Sequence, residues 1–107
     1  MLPDRGNGLT VVRQQIVELD RLAQQTLEDL NTVAGAERVA KWKEQTVALL
    51  SSTVGPLEGK RFAGIQPGPS FTNDLVEEFT DLIESYRAPL TALAKQLAQT
   101  PPPRQGT

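Results

Sequence analysis

Five carboxylates, Asp74, Glu77, Glu78, Asp81 and Glu84, fall within eleven residues that hold no base. At helical spacing they line one stripe. Carboxylates placed this way have the chemistry to hold Ca²⁺ or Mn²⁺. Di-metal helical bundles, however, normally add a Glu-x-x-His pair, and this chain has no histidine. The expected role is therefore a solvated face whose first acids favour a helix N-terminus. An electrostatic surface for a partner is the second reading, and no metal is assigned.

Arg38, Lys41 and Lys43 surround Trp42, and Lys60-Arg61 follow. Cations around an aromatic ring can meet a nucleic acid or a phosphorylated ligand. Trp42 also lies on an apolar helical stripe, however, so the core is its expected place, with the cations flanking it on the surface. A basic second helix could equally pair with the acidic third, within one chain or between chains. Each exposed pair would contribute at most about 1 kcal/mol, enough to set register rather than stability.

Gly55, Gly59, Gly64 and Gly68 invite a phosphate-loop reading. Their spacing matches neither G-x-x-x-x-G-K-[ST] nor G-x-G-x-x-G. Gly59-Lys60 is followed by Arg61 rather than Ser or Thr, and no strand precedes it. The serines Ser51, Ser52, Ser70 and Ser85 have no histidine to activate them, and no Ser-x-x-Lys is present. With no cysteine either, the chain lacks thiol nucleophiles, the usual zinc ligands and imidazole acid–base chemistry. No enzymatic activity and no cofactor are expected.

The elements that position these residues follow from composition and period. A chain of 107 residues has room for one core. Eleven Lys+Arg against 13 Asp+Glu leave a net charge of -2, which argues against binding nucleic acid by bulk charge. Leu, Ile, Val and Phe together make 28 residues, above the proportion at which chains stay disordered. No run is long and apolar enough for a membrane span. No secretory signal is visible at the start, and the absence of cysteine fits a reducing cytosol. A cytoplasmic protein is expected.

Val12, Ile16, Leu19, Ala23, Leu27, Leu30 and Ala34 recur at steps of three and four, widened by Leu22 and Val33. This is one face of a helix. Asn7 or Thr10 is placed to cap its start, and Gly35 is a natural stop. Val39, Trp42, Thr46, Leu49, Leu50 and Thr53 share the face of a second helix, which Gly55-Pro56 ends. In the following stretch, Leu57, Phe62, Ile65 and Phe71 recur among glycines and prolines. They suggest an ordered connection whose apolar side chains plug the end of a bundle. Leu75, Phe79, Leu82, Ile83, Tyr86, Leu90, Leu93 and Leu97 make the third stripe. Thr72 or Asn73 is its cap, with Phe71 and Val76 as a hydrophobic staple. Pro89 interrupts it at a cost of about 3 kcal/mol, yet the register continues, so the last helix is expected to kink there.

The expected fold is all-α, a small antiparallel bundle of three long helices at about 10–34, 36–54 and 72–99, with an ordered Gly/Pro-rich loop over 55–71. Residues 1–8 read as a flexible N-terminus and 100–107 as a disordered tail.

From Ala40 to Leu97 the order of residues is Trp42, Thr46, Leu49-Leu50, Val54-Gly55, Phe62, Ile65, and then Tyr86, Leu90, Leu93 and Leu97. This pattern resembles the helical region that precedes the TIR-like or other nucleotide-binding domain of bacterial proteins linked to phage defence. The resemblance implies a part that associates or senses while another domain does the chemistry. It implies here a stand-alone adaptor, or a piece whose effector lies on another polypeptide. The shared positions look structural, so no functional residue is carried over.

The expected function is a non-enzymatic interaction or oligomerisation module, an adaptor or accessory subunit of a bacterial complex. Its partner is a second copy or a larger effector protein, with neither nucleic acid nor membrane expected. The candidate interface comprises Trp42, Lys41, Lys43, Asp81, Glu84, Leu90, Leu93 and Leu97. Leu90, Leu93 and Leu97, with Ala94 and Ala98, form the apolar seam. The alternative is a small regulatory protein binding nucleic acid or a nucleotide-type ligand through Arg38–Lys43 and the 55–71 loop.

Overall fold

The computed structural model describes residues 5–67 and 74–99, with side chains described from residue 8 onward. All regular structure among them is α-helical. It comprises α1 (Arg5–Asp29), α2 (Thr32–Thr53), α3 (Pro56–Ala63) and α4 (Leu75–Gln99). There are thus four helices where the apolar stripes indicate three, because a short helix forms inside the 55–71 stretch.

The first two boundaries lie earlier than the sequence suggests. Residues 5–8, expected to be flexible, are helical, and Gly8 is buried against Thr53 and Val54. α1 stops at Asp29 rather than at Gly35. Leu30 takes the left-handed conformation (φ 55), and Asn31 caps α2 by accepting from the Ala34 N–H at 3.1 Å. An Asx cap thus decides the turn, and Gly35 falls inside α2. Its missing side chain serves packing instead. A Cβ there would lie 2.4 Å from Thr26 Cγ2 and 2.9 Å from Phe79 Cε1, so glycine lets α1 and α4 approach α2 at this level.

Gly8 meets Thr53 and Val54, Gln15 meets Trp42 and Thr46, Thr26 meets Gly35, and Asp29 meets Arg38. Residue numbers therefore fall along α2 as they rise along α1. α1 packs extensively on both α2 and α4, whereas α2 and α4 touch each other less. α3 packs on α2.

α3 has the expected local grammar of a short helix. Pro56 stands in its first turn with Glu58, and Lys60 and Arg61 stand in its last. Gly59 seats it, because a Cβ would come within 1.9 Å of Ser51 Oγ and 3.0 Å of the Val47 carbonyl. The expectation that this stretch is ordered and apolar toward the bundle holds for Phe62, which is buried, and for half-buried Ile65. Leu57 points outward instead.

α4 begins one turn later than 72, and Asp74 caps it by accepting from the Val76 and Glu77 N–H groups. The helix runs through Pro89 to Gln99 without a break. The Thr72 or Asn73 cap, the Phe71 staple and the 100–107 tail lie outside the described residues.

The core joins all four helices through Val12, Leu19, Val39, Trp42, Leu50, Phe62, Phe79, Ile83, Tyr86 and Leu90. Each long helix carries its share at helical spacing, which is why amphipathic period alone locates most of this set.

Candidate functional site

The centre of the molecule is an aromatic cluster on three helices. Trp42 (α2) meets Phe62 (α3) edge-on at 5.8 Å between ring centroids, at 78°. Tyr86 (α4) lies 6.1 Å from Trp42 and 5.7 Å from Phe62. Such pairs add about 0.5–1.5 kcal/mol beyond area burial. The Trp42 indole N–H donates to the Gln15 carbonyl at 3.0 Å, and the Thr46 hydroxyl donates to Gln15 Oε1 at 2.8 Å. Trp42 is only 3% exposed. It is therefore a core residue fixed at both face and edge, and the little of it that remains exposed borders the cleft it shares with Arg38 and Lys41.

Of the basic residues around Trp42, Arg38 and Lys41 share one cleft and Lys43 does not. Arg38 and Lys41 line a shallow cleft of about 320 Å³ between α1 and α2, together with Arg21, Glu18 and Gln45. Arg38 Nη1 lies 3.9 Å from Asp29, and it is buried without a hydrogen bond. Lys43 leaves from the other side of α2. Its ammonium donates to the Ile65 carbonyl at 2.9 Å and sits 5.0 Å above the Tyr86 ring. It ties the chain after α3 to the aromatic cluster, so the stretch from Arg38 to Lys43 presents no single basic surface.

The acids of α4 lie outward and exposed. Glu84 accepts from Arg87, which also reaches Asp20 on α1. Asp81 is exposed. Among the described residues no group of three or more carboxylates is placed to hold a metal ion.

The proposed seam on α4 is largely used within the chain. Leu90 is buried, and Leu93, Ala94 and Leu97 pack in part against the core. Of the eight candidate interface residues, Trp42 and Leu90 are core. Lys43 and Glu84 are engaged internally. Lys41 and Asp81 are exposed on different helices.

The exposed apolar surface lies elsewhere. Leu30 is 71%, Val33 72% and Leu75 62% exposed. Val33 and Leu75 share the lining of a shallow groove of about 420 Å³ between α2 and α4, with Ala36, Phe79 and Leu82. Ala36 and Leu82 also line the neighbouring groove of about 580 Å³, which runs on to Lys43, Ala63 and Tyr86. The sequence pattern assigns Leu30 and Val33 to a buried face, because it places the turn five residues too late. Gln15 and Thr26, both buried, carry no apolar signal and escape a periodicity search altogether.

Comparison of the chain with protein-family models, with curated proteins and with solved structures finds no match.

Proposed function

We propose that the chain is a non-enzymatic helical interaction module that self-associates and serves as an adaptor to a partner polypeptide in the cytoplasm. The observation that supports this reading most is the exposed apolar surface of Leu30, Val33 and Leu75, continued by the groove between α2 and α4. Single exposed apolar residues are ordinary. Several at one end of a small bundle, running into a groove, are typical of a contact surface. In this reading α1, α2 and α4 form an antiparallel bundle, with α4 bent at Pro89, and the groove is where a further helix would pack. The resemblance of Ala40–Leu97 to helical regions beside TIR-like domains supports an effector on another polypeptide as the partner. Among the described residues no helix is long and apolar enough to cross a membrane.

Size-exclusion chromatography with light scattering tests the proposal. The expected result is a mass above the 11.7 kDa of one chain, rising with concentration. A strictly monomeric species across the accessible range overturns it.

The cleft lined by Arg21, Arg38 and Lys41 favours a second reading, as a small anion-binding protein. Under it, Lys41→Glu abolishes salt-dependent binding of a phosphorylated ligand, whereas Lys43→Glu acts through stability. Equal loss of binding in both variants, with folding intact, removes that reading.

A further inference from the structure

Charge is distributed unevenly along the bundle. Where α1 turns into α2 and α4 begins, Glu28, Asp29, Glu37, Glu78 and Asp81 are exposed, and the nearby cation Arg38 is faced by Asp29. The other half of the bundle, where α3 runs back along α2 from Gly55 to the level of Lys43, exposes Lys60 and Arg61, and Lys95 lies near the close of α4, with Glu58 beside Arg61 at 3.6 Å. Each end also exposes apolar side chains. The acidic end has Leu30, Val33 and Leu75. The basic end has Leu57, 55% exposed, three and four residues from Lys60 and Arg61 and so on their face of α3.

Leu30 is the most telling of these. It holds a left-handed backbone, a conformation that costs an ordinary residue more than it costs glycine or asparagine. Its side chain is nevertheless 71% exposed, so packing among the described residues gives no reason for a leucine here.

We propose that the acidic, leucine-bearing end of one copy docks on the basic α3 end of the next. This inference rests on the self-association proposed above and names the two surfaces that meet. Leu30, Val33 and Leu75 pack against Leu57. Glu37 and Glu78 face Lys60 and Arg61. The two surfaces are different, so the contact is heterologous, and it propagates into short chains or closes as a ring. A net charge of only -2 leaves little overall repulsion between copies.

Sedimentation velocity of the full chain tests this with three variants. Wild type is expected to associate at low salt and to weaken about tenfold or more in ~0.5 M salt, where the screening length is about 4 Å. Lys60→Glu/Arg61→Glu and Glu37→Lys/Glu78→Lys each remove one end, and each is expected to be monomeric. Each variant keeps one wild-type end, and the two reversed ends complement each other, so mixing the variants is expected to restore association that neither shows alone. Leu30→Asn is expected to weaken association at low salt while raising the melting temperature in ~0.5 M salt, where association is screened, a combination that misfolding does not produce. If the reversed variants assemble like wild type, or their mixture stays monomeric, end-to-end docking is overturned while self-association stands. A wild-type chain that is monomeric at both salt concentrations removes both.

Discussion

Several buried positions in this protein are set by a single atom. Thr26 is fully buried, and its hydroxyl has no hydrogen-bond partner. An unsatisfied buried hydroxyl costs about 1–3 kcal/mol. Thr26→Val keeps the branched shape and removes the hydroxyl, so it is expected to stabilise the fold by about 1 kcal/mol in urea titration. A loss of stability would show that the hydroxyl is satisfied after all. Gly35 faces the same threonine. Alanine is the better helix former by about 1 kcal/mol, yet its Cβ would come within 2.4 Å of Thr26 Cγ2. Overpacking of this kind costs about 1–3 kcal/mol. Gly35→Ala is therefore expected to lower the denaturation midpoint, against its helix propensity, and a higher midpoint would contradict the close approach. Nothing in the sequence around Gly35 separates a helix stop from a packing glycine, since both call for a missing side chain. The distinction depends on what lies across from it, and Thr26 and Phe79 are placed there only by the tertiary fold.

Among the elements, α3 is the one the periodicity does not show. Eight residues with two glycine neighbours and a leading proline look like a connection, and isolated helices of that length do not persist in water. This one persists because Gly59 sits against Ser51 and Val47 and because Phe62 closes the aromatic cluster with Trp42 and Tyr86. Gly59→Ala is expected to displace α3 while the three long helices stay folded. Trp42 fluorescence would shift and helical circular dichroism would fall only slightly. An unchanged Trp42 spectrum would mean that α3 does not depend on this contact. The α1–α2 turn teaches the complementary lesson. Asn31 and Thr32 hold the cap information in plain sight, but the apolar stripe runs past them through Leu30 and Val33. A stripe records which residues share a helical phase, and it is silent on whether the helix has already ended.

For the whole molecule, the buried core is a property of one chain, whereas the proposed self-association would use the exposed apolar side chains and the α2–α4 groove. If copies associate in the folded state only, mass action ties stability to concentration. The melting temperature is then expected to rise with protein concentration at low salt and to lose that dependence in ~0.5 M salt. A melting temperature independent of concentration at low salt would count against a folded assembly. The asymmetry in charge is readable in the sequence as two clusters, acidic at 74–84 and basic near 60. Only the chain path sets the first cluster along the opening turns of α4 and the second on α3 beside the later half of α2.

The sequence by itself determined the all-helical class, the three long amphipathic rods and nearly all of the core, because 3.6-residue periodicity is a local property that each helix carries alone. It also put Trp42 on a core stripe, while naming it in the candidate interface as well, and showed Asp74–Glu84 as an acidic face. Tertiary structure alone decided that α3 forms, that Gly35 is a packing contact, that Gln15, Trp42 and Thr46 share hydrogen bonds, and that Arg38 and Lys43 part company around α2. Each of these depends on a partner distant in sequence. Such a pairing is fixed by how the rods stack, and the period within one rod carries no record of it.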